Sequence, residues 1–327
     1  MKFTFIDLFA GIGGFRQAFE SVGGKCVFSS ESDKFAKQTY QANYGEIPYG
    51  DIRKFPKKLI PNHDILCAGF PCQPFSIARI SKKKLGFEDG TRGTLFFEIK
   101  EILRLKRPIA FILENVKNLL FHNKGETFEI IKYTLENLLG YVINWEIINS
   151  SKWVPQHRER IFIVGFDPNQ INISQKHIII PKKPSKKYIY PKLSGIIKKN
   201  VKGYTLGKGT WEALKRHKIY HTTKGNGFGY TLITFPIPDN AVTRTISARY
   251  YKDGAEILIE QKGRRPRRLS IQEAMQLQGY DPEKFIFPVS KTQAYKQIGN
   301  SITIPVVKTI AIEIVKILQN RRRNENN

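Results

Sequence analysis

Residues 3–9 form an apolar run that breaks onto Ala10-Gly-Ile-Gly-Gly14, and no other stretch constrains the fold as strongly. Beyond the glycines, Phe15, Ala18, Phe19 and Val22 recur at helical spacing. Strand, glycine turn and helix open the doubly wound α/β folds, where the backbone closes on a nucleotide-like ligand at the helix start. Glycine lets the main chain come that close. The spacing Gly11-Ile-Gly-Gly14 lacks the three-glycine fingerprint of dinucleotide-binding turns. An oxidoreductase using a nicotinamide or a flavin has only this turn in its favour. Residues 25–30 read as the next strand, and Glu31 at its end is placed to accept both hydroxyl hydrogens of a ribose. A helix over 33–43 carries Ala36 and Tyr40 inward. On the loop after it, Asp51 suits an exocyclic amine and Ile52 the face of an adenine.

A second constraint is Asp64-Ile-Leu-Cys-Ala68, a buried strand stopped by Gly69-Phe-Pro-Cys-Gln-Pro-Phe-Ser76. Pro71 and Pro74 stiffen the loop that carries the thiol of Cys72. Open α/β sheets place their chemistry at that carboxyl edge. Residues 77–93, rich in Lys, Arg, Ser and Gly, suit a loop that closes on phosphates, and equally a solvated surface loop. A helix follows over 94–105, then a buried strand over 109–113 that ends in Glu114-Asn-Val116. A buried strand rarely ends in a carboxylate without a partner or a task. Residues 127–139 read as a helix, 142–149 and 161–165 as strands. In Gln156-His-Arg-Glu-Arg160, Arg158 and Arg160 alternate, so both can face one cleft.

The chain's 327 residues, 41% of them hydrophobic, suffice for a large core, which argues against wholesale disorder. The 54 Lys and Arg against 28 Asp and Glu give a net charge of +26, and a polyanion such as nucleic acid is the first partner to consider. Cys26, Cys67 and Cys72 make neither a metal-ligand spacing nor a disulfide framework. A reducing cytoplasm, no metal and no membrane span are expected. Residues 167–206, with Pro181, Pro184 and Pro191, read as a linker. The stretch 207–262 reads as short strands joined by glycine turns, helical only over 210–218; its Arg, Lys and Tyr suit a DNA groove. Ser270-Ile-Gln-Glu273 is a capping box, 293–301 a polar loop, and 305–318 a last helix that packs back on the first half.

Six ordered motifs carry a family resemblance: Asp7-Leu-Phe-Ala-Gly-Ile-Gly-Gly14, Gly69 to Ser76, Glu114-Asn-Val-Lys-Asn118, Gln156 to Arg160, Arg268-Leu-Ser-Ile-Gln-Glu-Ala274 and Gln293-Ala-Tyr-Lys-Gln-Ile-Gly-Asn-Ser301. Together they resemble the cytosine-5 DNA methyltransferases of bacterial restriction–modification systems. The resemblance implies a doubly wound, mostly parallel sheet of the S-adenosylmethionine-dependent methyltransferase type. It places a catalytic and cofactor-binding domain at 1–165 plus 288–327 and a smaller, β-rich target-recognition domain at 166–287. By resemblance, Cys72 adds to a cytosine flipped from the duplex. Glu114 would hold a proton at ring N3, and Arg158 and Arg160 would grip the ring carbonyl. S-adenosylmethionine, leaving as S-adenosylhomocysteine, would lie among Phe9, Gly11, Ile12, Gly13, Glu31, Asp51, Ile52, Phe70, Pro71, Leu95 and Asn300. Where family members often carry an aromatic residue after the ribose carboxylate, this chain has Ser32. DNA contacts would come from Gln73, Ser76, Arg79, Lys82 and Arg92 and from Arg244, Arg249, Tyr250 and Lys252. The stretches 225–230 and 244–258 resemble the branch that modifies sites beginning CC. Double-stranded DNA is the implied partner, and a cognate restriction endonuclease belongs to the same system without binding the chain. Monomeric action is expected. The rivals are a tRNA cytosine methyltransferase, against which the long basic recognition region argues, and a catalytically silent DNA-binding protein.

Overall fold

Strand β1 (Phe3–Leu8) is apolar and almost wholly buried because it lies inside a sheet, with parallel partners on both sides: β2 (Gly24–Ser30) and β3 (Ile65–Gly69). The computed structural model that shows this describes residues 2–71, 95–226 and 229–325. β3 pairs in parallel with β4 (Ala110–Val116), and its Gly69 stands opposite Glu114. β5 (Val142–Asn149) and β6 (Glu159–Phe166) complete the order β2-β1-β3-β4-β6-β5. β6 runs antiparallel to both of its neighbours. The sheet is therefore mostly parallel, and the amino end of β6 meets the carboxyl end of β4, with Arg160 opposite Val116.

Side chains alternate across this sheet, as the pleat requires. Phe5, Cys67 and Ile112 enter one apolar layer with α1 (Gly14–Glu20) and the long α9 (Ile304–Glu325). Ile6, Leu66, Phe111 and Leu113 enter the other with α3 (Leu95–Lys106) and α4 (Glu126–Tyr133). Both faces are covered, which is why the central strands read as unbroken apolar runs. The predicted stripe of the last helix is buried at Val306, Ile310 and Ile314, and Trp153 Nε1 donates to Thr309 Oγ1 at 2.9 Å.

Three sequence expectations are corrected. The polar loop over 293–301 is a helix, α8 (Lys291–Asn300): Ser290 caps it, and Ala294, Tyr295 and Ile298 are buried along one side. The polar residues between them hid that stripe. The supposed linker at 167–206 is a packed segment. Its Ile171, Ile178 and Ile180, with Leu193 and Ile196 of α5 (Leu193–Ile196), share the apolar cluster that holds Phe5 of β1. Interspersed lysines and prolines masked their common inward face. Helical structure in the next region is also longer than expected, since α6 runs Lys208–Thr223 with only Leu214 buried.

A second sheet orders β7 (Leu232–Ile233), β8 (Leu258–Gln261) and β9 (Arg264–Arg268) side by side. Behind it α7 (Ile271–Gln276) opens with the expected capping box of Ser270 and Glu273. Glu273 also takes two hydrogen bonds from Arg267, at 2.7 and 2.8 Å, with both residues buried. α2 (Lys34–Tyr44) is capped by Asp33 and packs Ala36, Thr39 and Tyr40 inward.

Candidate active site

The carboxyl edge of the parallel strands opens into one cleft of about 360 Å³, lined from the turns after β1 and β2, from β3, β4 and β6, and from α8. Of the residues expected there, Phe9, Gly11, Ile12, Glu31, Phe70, Pro71, Leu95, Glu114, Arg158, Arg160 and Asn300 line it. Ser32 lines it too. Cys72 lies outside the described residues, as do Gln73, Ser76, Arg79, Lys82 and Arg92.

The β1–α1 turn is built for close approach. Phe9 sits at φ +56°, in the left-handed region that a side-chain-bearing residue enters only where its surroundings hold it. Gly13, at φ +81°, starts α1 with the Tyr44 ring only 2.3 Å from where a Cβ would stand. Gly13 thus shapes the turn from beneath instead of lining the cleft. Glu31 faces the same turn: its carboxylate accepts from Gly11 N at 2.8 Å and from Asp33 N at 2.7 Å. Burial pushes its pKa up against those two hydrogen bonds.

Asp51 and Ile52 do not line the cleft. Both Asp51 oxygens are held by Arg53 Nε, each at 3.0 Å, and Ile52 is buried in the apolar layer. An arginine two residues on satisfies the carboxylate that the sequence offered to an adenine.

At the far wall, the paired register brings Glu114 and Arg160 together. Arg160 Nε lies 3.1 Å from Glu114 Oε1, with the two side chains 18% and 11% exposed. Burial raises the Glu114 pKa, while the positive charges of Arg160 and Arg158 pull it down less strongly. Asn115 Nδ2 donates to Phe70 O at 3.0 Å. The end of β4 thereby fixes the segment Phe70-Pro71 that leads along the chain to Cys72.

Arg158 also borders the cleft, but its guanidinium is committed elsewhere. Nη1 donates to Ile246 O at 3.0 Å, and Nη2 to Gly299 O and Ser301 O at 2.9 and 2.8 Å. Only Nε is left without a partner among the described residues. Burial, with Arg160 beside it, pushes the Arg158 pKa down.

Of the α8 wall the sequence reading reached only Asn300 and missed the rest. Gln293, Lys296 and Gln297 line the cleft; Lys296 Nζ pairs with Asp33 Oδ2 at 3.4 Å, and Thr39 Oγ1 donates to Gln297 Oε1 at 2.8 Å. Gln293 Oε1 and Gln297 Nε2 are buried and have no hydrogen-bond partner among the described residues. The spacing of Gln293 and Gln297, four apart after the capping Ser290, was the available signal.

Among the expected DNA contacts, Arg244, Arg249 and Lys252 are exposed. Tyr250 is not. It is wholly buried, its hydroxyl donating to Ile257 O at 2.7 Å and accepting from Leu269 N at 2.8 Å, so it belongs to the core and not to the DNA-facing surface.

Comparison with known proteins identifies the family. Residues 3–316 match the family described as "C-5 cytosine-specific DNA methylase", and the chain belongs to that family. It is 50% identical over 320 residues to the type II methyltransferase M.SsoII of Shigella sonnei, which covers 97% of this chain and 81% of the relative. To the DNA-cytosine methyltransferase of Escherichia coli K12 it is 41% identical, across 94% of this chain and 76% of that one. In fold it is similar to the crystal structure of the S. pombe Dnmt2 methyltransferase, with a TM-score of 0.74 and 17% identity over 98% of this chain and 100% of the other. The protein is thus a DNA (cytosine-5)-methyltransferase of the type found in type II restriction–modification systems, a family that uses S-adenosylmethionine.

Proposed function

We propose that the chain flips a cytosine out of duplex DNA into this cleft and methylates its carbon 5 through a covalent bond to Cys72. The observation that carries the reading is the Glu114–Arg160 pair at the end of β4, opposite Gly69 and beside the segment that leads to Cys72. Carbon 5 of cytosine is a poor nucleophile until a thiolate adds at carbon 6. Glu114, kept protonated to higher pH by burial, places a proton at ring N3 and offsets the charge of that addition. Arg160 holds Glu114 in place and offers its remaining N–H groups to the ring carbonyl. The carbon-6 adduct then forms its carbon 5–methyl bond as the donor's sulfur–methyl bond breaks and S-adenosylhomocysteine leaves; the carbon-5 proton passes to solvent, Cys72 departs as thiolate, and the N3 proton returns to Glu114.

S-adenosylmethionine, when bound, supplies an electrophilic methyl group. The cleft suits it on this chain's own evidence. Glu31 presents a carboxylate to a ribose beside the glycine turn, Phe9, Ile12 and Phe70 offer apolar walls, and Gln293 Oε1 and Gln297 Nε2 have no polar partner among the described residues. Asn300 and Leu95 close the outer side. A target beginning CC is the reading that residues 244–258 support. Residues 1–165 with 288–327 would then hold the chemistry, and 166–287 would read the target, with Arg244, Arg249 and Lys252 toward the DNA.

Bisulfite sequencing of DNA from cells expressing the chain tests activity and site together; methylated cytosines in one short word are expected, and their absence overturns the reading. Duplex DNA carrying 5-fluorocytosine tests the covalent step, because fluorine cannot leave as a proton does. A stable adduct is expected in the presence of the methyl donor. An equal yield from Cys72→Ala would eliminate Cys72 as the nucleophile.

A further inference from the structure

The seam between the segment 155–158 and the segment 243–249 is denser than its length requires. Thr243 N donates to Pro155 O at 2.9 Å, and His157 N donates to Thr243 O at 2.8 Å. Thr245 Oγ1 donates to His157 O at 2.6 Å. Both main-chain groups of Ile246 are then taken by side chains two residues apart. Its N–H goes to Gln156 Oε1 at 2.8 Å, and its carbonyl accepts from Arg158 Nη1 at 3.0 Å. The other amino group of the same guanidinium reaches Gly299 O and Ser301 O, the carbonyls on either side of Asn300. α8 presses on the segment from the opposite side: a Cβ on Gly299 would stand 2.3 Å from Ser247 O.

One buried, planar, positively charged group therefore spans the segment bearing the exposed Arg244 and Arg249 and the helix end bearing Asn300. The fork of the guanidinium allows this, since its donors are held in fixed directions, which a lysine ammonium cannot reproduce. A shift of Ile246 by even a fraction of an ångström must be taken up by the carbonyls of Gly299 and Ser301, or the buried donors lose their acceptors at substantial cost.

We infer that Arg158 is a positioning residue that couples the seating of segment 243–249 on DNA to the grip of Asn300 on the methyl donor. The inference rests on the reading above, in which that segment meets DNA and the cleft holds the donor. Coupling of this kind is reciprocal: DNA tightens donor binding by the factor by which the donor tightens DNA binding.

The test uses the full chain and S-adenosylhomocysteine, titrated into free protein and into protein saturated with a duplex bearing the site that bisulfite sequencing returns. In the unaltered protein DNA is expected to tighten binding by at least about fivefold, the lower end of typical couplings. In Arg158→Lys the ratio is expected to fall to within about twofold of unity, with the secondary structure retained by circular dichroism. A brace without a coupling role would lower the melting temperature of Arg158→Lys and leave the ratio untouched; that result, or a ratio of one in the unaltered protein, overturns the inference. If Arg158→Lys does not fold, Thr245→Val opens the same seam from its half-exposed side, and an undiminished ratio in that variant overturns the inference equally. Methylation with an unchanged ratio removes the coupling alone, whereas absence of methylation removes the functional reading and the coupling with it.

Discussion

Glu114 shows how a single side chain is tuned by its setting. Desolvation raises its pKa and the two arginines oppose that without cancelling it. The sign for activity follows: the protonated carboxyl is fully present well below its pKa and is lost as pH rises through it. If Glu114 acts as proposed, the methylation rate is expected to fall along an alkaline limb as pH rises through its raised pKa. Glu114→Gln keeps the shape without the titration. It is expected to lower kcat by about 10²- to 10⁴-fold, the usual range for a general acid, and to flatten the alkaline limb of the pH–rate profile. An unchanged limb would assign it to another group. The site was legible at this scale where a residue's type conflicted with its surroundings, as with a carboxylate ending a buried strand. It was illegible where a neighbour decided the outcome. Arg53 takes Asp51, and nothing in a Tyr-Tyr-Lys run tells that the first tyrosine turns inward and the lysine outward.

Among the elements, the strands of the large sheet were readable because both of their faces are covered and their apolar runs are unbroken. Both alternating arginines border the cleft, and Arg160 meets Glu114 because β6 runs backwards beside β4. α8 was not readable as a helix, since its buried side consists of few residues and its exposed and cleft-lining sides are polar. Its close approach to the 243–249 segment makes a sharp prediction. Gly299→Ala inserts a methyl group against the main chain at Ser247, where no side chain can swing aside. Overpacking of this kind costs about 1–3 kcal/mol, measurable as a lowered urea midpoint. A midpoint equal to that of the unaltered protein would mean the helix can back away from Ser247.

For the molecule as a whole, the net charge of +26 sets the terms of DNA binding. Each phosphate neutralised releases counterions, so affinity falls steeply with salt. If binding engages about 6–10 phosphates, affinity for duplex DNA should drop by about 10³- to 10⁵-fold between 50 and 200 mM salt. S-adenosylhomocysteine, which bears no phosphate, should bind with little change over the same range. Equal salt dependence of the two ligands would contradict a phosphate-led interface. Overall charge was legible at once in the sequence; how the parts share an interior was not. The apolar cluster beneath β1 continues without a break through Ile171, Ile246, Tyr250, Ile259 and Leu269 to α9. If residues 166–287 read the target as proposed, exchanging them between relatives as a cassette would tear a common interior. A working chimera would have to import the donor's inward-facing residues on both sides of each junction, so that new specificities arise more readily by altering exposed loops than by wholesale transplantation.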